Sequence, residues 1–200
     1  MNAGGTICVA GYAKPAWQKA LVGVSGSGMP NDGVRDLPDV SLFAANGYNG
    51  SYYPECSEDG DCQAATAGNT VQITGVGGTS ASAPAFAGIM ALVNQQTKSR
   101  QGQAGYVLYP LFSQFRSSFH DVTVGANSVP CEYSPTDTAN CIAVSNPITL
   151  SFSSSSSVTE GEIGTGTTAE YNAGAGYDLA TGLGSIDAYN LVTNLSLIHI

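Results

Sequence analysis

The sequence predicts an α/β fold, because short apolar segments with strand character precede one long apolar helix. Two segments, DVSLFA (residues 39–44) and VQITGVG (residues 71–77), are short, apolar and bounded by turn residues, which is typical of buried strands. The segment SAPAFAGIMALVNQQ (residues 82–96) follows the second strand and is apolar on nearly every face. Such a helix belongs in the interior, and the alternation of strands and helices around it predicts the α/β class.

The other elements are shorter. AKPAWQKAL (residues 13–21) forms a short amphipathic patch. VLYPLFSQF (residues 107–115) predicts a short helix broken at Pro110, because proline lacks the N–H that an interior helical position needs. ITLSFSSSSSVT (residues 148–159) alternates apolar and polar residues, which predicts an antiparallel hairpin insertion with one wet face, and a closing helix is expected from about Ile186.

The composition excludes some partners. The chain has 15 acidic and 6 basic residues, so no basic patch is available to neutralise the phosphates of a nucleic acid. Only 10% of the residues are charged, and a chain with few carboxylate–lysine pairs loses little stability when acid protonates its carboxylates. No stretch is long and apolar enough to span a membrane, so no membrane partner is expected. These features fit secretion into an acidic medium.

The cysteines predict two local disulfides. Cys56 and Cys62 bracket one short polar loop, and Cys131 and Cys141 bracket another. Metal ligation would need tighter spacing, such as CxxC, which the chain does not contain. Two loop disulfides indicate an oxidising compartment and leave Cys8 over.

The segment GGTSASAP (residues 77–84) lies between the second strand and the long helix, and it permits two interpretations. In the first, Thr79, Ser80 or Ser82 caps an ordinary helix behind a glycine turn. In the second, Ser80 is a nucleophile at the helix N-terminus, where unpaired N–H groups and the helix dipole can stabilise an oxyanion. Small residues suit both arrangements, so the residues alone leave the choice open.

Six segments, in one consistent order, resemble motifs of the sedolisin family of serine-carboxyl peptidases. The segment around Ser80 is similar to the family's GTSxSxP, and Ala81 and Ser82 fit it better than the GTSMAxP of subtilisins. The resemblance covers roughly residues 10–192. The other matching segments are AKPAWQ (13–18), RDLPDVSLFA (35–44), FAGIMALVNQ (86–95), HDVTVGAN (120–127) and GAGYDLATGLGSID (174–187).

The resemblance implies a subtilisin-like fold with a parallel sheet core and a buried serine helix, of which this chain is the C-terminal portion. Sedolisins use a Ser-Glu-Asp triad, in which a glutamate replaces histidine as general base and stays basic in acid. Ser80 is then the nucleophile of a secreted bacterial endopeptidase that acts at acidic pH through an acyl-enzyme. The family's glutamate, triad aspartate and oxyanion-stabilising aspartate are expected upstream of Met1. Asp39 also matches a family position and is interpreted, with Arg35, as structural.

Residues 1–194 are therefore expected to be one partial catalytic domain, whose N-terminal part and propeptide lie outside this chain. The hexapeptide LSLIHI (residues 195–200) matches the translation of a common sequencing-library adapter, which predicts a non-native tail. We expect a monomer whose partner is a protein or peptide substrate.

The resemblance also implies one Ca²⁺ ion held by Asp121, Val122, Gly174, Gly176 and Asp178. Calcium takes about six to eight hard oxygen ligands, and two carboxylates with backbone carbonyls supply such a set. Residues 174, 176 and 178 alternate, so an extended stretch presents them on one side. Taken singly, each segment fits an ordinary turn or loop carboxylate better than a calcium ligand.

Two alternative functions remain open. A fragment of a subtilisin-type Ser-His-Asp peptidase would carry a similar serine motif and would also have its partner residues upstream. A non-catalytic secreted relic could keep the fold and the calcium site. The sequence upstream of Met1 distinguishes these possibilities, because each predicts different residues there.

Overall fold

The computed structural model describes residues 11–44, 52–56, 62, 73–134, 136, 141–143, 149–153, 156–163 and 171–197. Cys8, the first two residues of the segment 71–77 and the last three of the predicted tail lie outside these residues. Leu195, the first residue of that tail, is buried, and the predicted boundary at 194 stays a prediction.

Helices and strands are both present, which confirms the mixed α/β composition. The helices are α1 (Ala16–Lys19), α2 (Thr79–Thr97), α3 (Gly105–Gln114) and α4 (Ala188–Leu195), with a 3-10 turn at Arg116–Ser118. The strands are β1 (Tyr53–Glu55), β2 (Thr74–Val76), β3 (Phe119–His120), β4 (Val129–Glu132), β5 (Ile142–Ala143), β6 (Thr149–Ser153), β7 (Ser156–Ile163) and β8 (Ser185–Ile186). Among the described residues, no helix has the length and apolar character needed to cross a lipid bilayer.

The expected parallel sheet core is not found, because every pair of named strands in the described residues is antiparallel. β1 pairs with β2, β3 pairs with β8, and β4 to β7 form a third sheet. The segment 39–44, predicted as a buried strand, is irregular and mostly half-buried, with one parallel bridge from Ser41 to Ser185. The described residues bond to its backbone at Leu183, Gly184 and Gly78, but they supply no continuous strand alongside it, which a parallel ladder needs.

The third sheet confirms the predicted hairpin and enlarges it. β7 is its central strand: the first half pairs with β6, in the register Leu150 to Val158, and the second half pairs with β4 and β5. Cys131 and Cys141 form a disulfide within this sheet, and Cys56 is bonded to Cys62 after β1. Both predicted disulfides are therefore confirmed.

The core is built around α3 and α4. Val107, Leu108, Tyr109, Leu111 and Phe112 of α3 are all buried. They pack with buried residues of α4, of β3 and of neighbouring loops, namely Leu21, Met29, Phe119, Tyr177, Leu183, Leu191 and Leu195.

The break expected at Pro110 does not occur, because α3 continues to Gln114. Proline at this position leaves the carbonyl of Tyr106, four residues earlier, without its helical donor. Tyr106 is exposed, so water can satisfy that oxygen.

The long helix α2 forms as predicted, but it is not buried, which corrects the central position expected for it. Only Val93 is fully buried along its length, while Phe86, Ile89 and Met90 pack partly against the core. In the described part of the chain, α2 contacts α4 on this one face. The other face is exposed and consists largely of small apolar residues, namely Ala83, Ala85, Ala87, Gly88 and Ala91.

Candidate active site and carboxylate loop

The turn before α2 places Ser80 in the first turn of that helix. Gly78 precedes the helix with a φ of +76°, a backbone conformation that favours glycine, and α2 begins at Thr79. No side chain caps the helix, so Thr79, Ser80 and Ser82 do not act as N-caps in this structure. The N–H groups of the first helical turn are therefore not satisfied by a capping hydroxyl.

The Ser80 side chain is accessible and is not committed to a structural contact. The residue is exposed, and its hydroxyl makes no hydrogen bond within the described part of the chain. No described carboxylate or imidazole is therefore in place to accept its proton. The position suits a nucleophile, but the described residues do not supply the general base.

Two hydrogen bonds fix the serine turn to the segment 39–44. The Gly78 N–H donates to the Ala44 carbonyl at 2.8 Å, and the Ser82 hydroxyl donates to the Phe43 carbonyl at 3.0 Å. Sequence patterns indicated for Ser82 only a possible cap or a motif position. Its observed contact tethers α2 to a residue 39 positions earlier in the chain.

The structure brings together the two aspartates of the predicted calcium site. Asp121 Oδ2 accepts a hydrogen bond from the Gly176 N–H at 2.9 Å, although the two residues are 55 positions apart. Asp178 Oδ2 accepts one from the Gly174 N–H at 3.0 Å. Both carboxylates therefore lie against one short loop, which we call the carboxylate loop (residues 174–178).

Asp178 also organises the turn that follows this loop. Its Oδ1 accepts hydrogen bonds from the N–H groups of Ala180 and Thr181, at 2.9 and 2.7 Å. The Thr181 hydroxyl lies 3.1 and 3.0 Å from the two carboxylate oxygens. No sequence pattern distinguished Thr181, because its role depends on how the turn folds back. Asp178 thus has a structural role that does not depend on any ion.

The donor set fits a hard cation. Asp121 Oδ1 and the carbonyls of Val122, Gly174 and Gly176 accept no hydrogen bond from the described residues. Together with Asp178 they form a set of carboxylate and carbonyl oxygens such as calcium prefers. No group of three or more His, Cys, Asp or Glu side chains is found among the described residues, so carbonyls would have to complete any metal site.

The glycines of the carboxylate loop differ in what they do. Gly176 has a φ of +82°, and an added Cβ would lie within 2.7 Å of the Gly26 oxygen. Nothing lies within 4 Å of a Cβ added at Gly174. Close packing therefore explains glycine at 176, and the described surroundings do not require it at 174.

His120 is exposed, and its Nε2 lies 3.8 Å from Asp187, which caps α4.

A partly buried polar network holds the start of the segment 39–44. Arg35 pairs with Asp39 at 2.5 Å, and the Tyr109 hydroxyl donates to Asp39 Oδ1 at 2.7 Å, so the structural interpretation of Arg35 and Asp39 agrees with the contacts. Burial strongly raises the pKa of Tyr109, which keeps its phenol protonated as a donor. The Gln18 side chain, fully buried, links the Tyr109 hydroxyl at 2.8 Å to the Asp36 carbonyl at 2.9 Å.

The same network contains a buried ion pair. Lys14 and Asp36 are both buried and paired, and Lys14 Nζ lies 3.1 Å from Asp32 Oδ1. Burial raises the pKa of Asp36 against the opposing effect of Lys14. Burial also disfavours ionisation of Asp32, but the Val34 N–H and Lys14 bring its pKa below the ordinary value. Lys14 thus contacts two carboxyl groups, of which Asp36 has a raised pKa and Asp32 a lowered one.

With this geometry established, the chain can be placed among known proteins: it is related to the sedolisin family of serine-carboxyl peptidases, which confirms the resemblance found in its motifs. Sedolisin from Pseudomonas sp. (strain 101) is 28% identical to it over 179 residues, which cover 90% of this chain and 20% of that protein. No protein-family model matches the chain.

A solved structure supports the same relationship. Pseudomonas sedolisin (serine-carboxyl proteinase), complexed with two molecules of pseudo-iodotyrostatin, superposes with a TM-score of 0.54 at 27% identity. The match covers 92% of this chain and 34% of that chain. This chain therefore spans about a fifth of the curated relative and about a third of the solved chain.

Proposed function

We propose that this chain is the C-terminal portion of an acid-acting serine endopeptidase of the sedolisin type, with Ser80 as its nucleophile. The exposed, uncommitted hydroxyl of Ser80 in the first turn of α2 carries the proposal. The relationship to sedolisin along most of the chain supports it. The substrate is a protein or peptide, and the enzyme is a secreted monomer, in keeping with the two disulfides.

In the proposed reaction, the Ser80 Oγ attacks the carbonyl carbon of the peptide bond as a general base takes its proton. The negative charge that develops on the carbonyl oxygen lies near the N–H groups of the first helical turn, where the helix dipole also favours it. The amine leaves with a proton, and water then releases the acyl group from Ser80. The glutamate base, its aspartate partner and the oxyanion-stabilising aspartate belong to the segment upstream of Met1.

The exposed face of α2 supports the view that this chain is one part of a larger fold. A helix that is apolar on all sides is normally covered on all sides, and α2 is covered on one in the described residues. Leu92 is 52% exposed on this helix, beside the row of alanines. The small share of the relative's length that the chain spans points in the same direction.

The 200-residue chain is expected not to cleave peptides by itself, whereas the complete protein should cleave them between about pH 3 and 5. The reason is that the base and oxyanion partner are supplied upstream. Release of a fluorophore from a quenched peptide by both purified forms measures this. Turnover by the 200-residue chain would contradict the proposal that the general base and the oxyanion partner lie outside it. The sequence encoded upstream of Met1 separates the alternatives. Histidine and aspartate there would indicate a subtilisin-type peptidase, and substitution of the expected carboxylates would indicate a non-catalytic relic.

We further propose that the carboxylate loop binds one Ca²⁺ through the carboxylates of Asp121 and Asp178 and the carbonyls of Val122, Gly174 and Gly176. When bound, the ion would neutralise the two carboxylates and tie the backbone around Asp121 to the loop. The loop residues themselves hold these groups together through the Gly174 and Gly176 N–H bonds. The site would stabilise the fold without entering the reaction.

Calcium is expected to raise the Tm of the complete protein by about 5 °C at a free concentration roughly 100 times the Kd. In Asp121→Asn and Asp178→Asn this difference in Tm should disappear, because each variant loses a charged ligand. Asp187→Asn is the matched control: Asp187 caps α4 outside the loop, and asparagine caps equally well. The Tm of each variant is measured in chelated and in calcium-loaded samples. The loss of the turn hydrogen bonds of Asp178 affects both samples and therefore cancels in the difference. A Tm that chelation leaves unchanged would contradict the site.

A further inference from the structure

An aromatic pair lies directly beside the serine turn and belongs to neither proposed site. The rings of Phe43 and Tyr53 meet edge to face, with centroids 5.0 Å apart. Phe43 is nevertheless 47% exposed. Such a ring loses apolar contact with water when another apolar group covers it, so the pair offers a binding surface.

Hydrogen bonds fix this pair to the N-terminus of the catalytic helix. The Phe43 carbonyl accepts from the Tyr53 hydroxyl at 2.8 Å and from the Ser82 hydroxyl at 3.0 Å. Ser82 is two residues beyond Ser80 in the same helical turn. The next residue, Ala44, accepts from the Gly78 N–H. The aromatic pair and Ser80 are therefore mounted on one hydrogen-bonded unit.

The other face of the β1–β2 pair provides a comparison. Tyr52 precedes Tyr53, so the two side chains leave the strand on opposite faces. The Tyr52 ring lies over Gly75, where an added Cβ would come within 2.9 Å of it, and the residue is 43% exposed. Tyr52 is thus an aromatic residue of similar exposure that lacks the tether to Ser82.

We propose that Phe43, supported by Tyr53, contacts an apolar side chain of the substrate next to the bond that Ser80 attacks. The inference rests on the proposed peptidase function and assigns the enzyme a preference for apolar residues beside the cleaved bond. Phe43 would determine specificity, and Tyr53 and Ser82 would position it. A contact that buries an apolar side chain against an aromatic ring raises kcat/KM for that substrate, relative to one with a polar side chain, by about tenfold or more.

The test uses the complete enzyme and peptides that differ only in Leu or Asn at each position flanking the cleaved bond. Phe43→Ala is expected to lower the Leu-to-Asn ratio of kcat/KM about tenfold, because the apolar contact is lost. Phe43→Leu should retain most of the ratio, and Phe43→Gln, which keeps bulk, should lose it. Tyr52→Ala is the matched control and should leave the ratio unchanged. Melting curves of each variant establish that it is folded.

Several results would overturn the proposal. An equal loss of kcat/KM for both peptides in Phe43→Ala would show that Phe43 has a structural role only. An unchanged ratio in Phe43→Ala and Phe43→Gln would show that another part of the complete protein covers the ring. An equal change in Tyr52→Ala would remove the distinction between the two faces. If the wild-type enzyme cleaves neither peptide, the proposed function has failed, and this inference fails with it.

Discussion

Replacing Ser80 with alanine in the complete enzyme is expected to lower kcat by at least about 10⁴-fold. The substitution removes the Oγ atom that forms the acyl-enzyme, and the nearby Ser82 hydroxyl is already engaged, since its Oγ donates to the Phe43 carbonyl. Stability should change by no more than about 0.5 kcal/mol, because Ser80 is exposed and its hydroxyl makes no described hydrogen bond. Initial rates on a peptide substrate, together with the Tm, separate the two effects.

A second readout identifies the intermediate. Acid-quenched wild-type enzyme should carry an acyl group on the peptide that contains Ser80, and mass spectrometry should not find it in Ser80→Ala. Ser25→Ala is the matched control, because Ser25 is likewise exposed and belongs to no proposed site. Normal turnover by Ser80→Ala would eliminate Ser80 as the nucleophile. A comparable loss in Ser25→Ala would indicate a general effect of serine removal.

The sequence carried the local features of the site, because they depend on residues close together in the chain. The helix after Gly78, the closing helix expected from about Ile186 and the two disulfides all follow from local spacing. The approach of Asp121 to Gly176 could be predicted only through resemblance, since no local pattern relates residues so far apart.

The errors in prediction concern burial and pairing, which depend on neighbours rather than on the segment itself. The composition of α2 predicted burial on every side, yet the described residues cover one face. The segment 39–44 has the apolar character of a strand, yet among the described residues its backbone is bonded to other backbone groups only at scattered points, to Leu183, Gly184 and Gly78, and no strand runs alongside it. In α3, exposure of Tyr106 allows Pro110 inside the helix, and that exposure cannot be read from the nine-residue pattern.

Replacing Lys14 with methionine is expected to lower the free energy of unfolding by about 3–5 kcal/mol at neutral pH. Lys14 and Asp36 have side chains that are 1% and 3% exposed, so the substitution leaves a buried carboxylate without its cation. Lys19→Met is the matched control, because Lys19 is exposed at the end of α1 and should change stability little. Urea unfolding of the purified protein measures both variants.

The double variant Lys14→Met with Asp36→Leu should recover much of the loss, because it removes the unpaired charge along with its partner. Failure to recover would point to the shape of the site, and not the charge on Asp36, as the source of the loss. A single variant as stable as the wild type would contradict the buried pair itself.

The loss in Lys14→Met should also become smaller as the pH falls. Burial already raises the pKa of Asp36, and removal of Lys14 raises it further. A carboxyl group whose pKa is higher in the folded state favours folding at low pH and loses that contribution as the pH rises through the folded-state value. Asp32 acts in the same direction, because without Lys14 it loses part of what lowers its pKa. Unfolding at about pH 4 and pH 7 should therefore give the larger loss at pH 7, and equal losses would show that neither carboxylate is the group left unpaired.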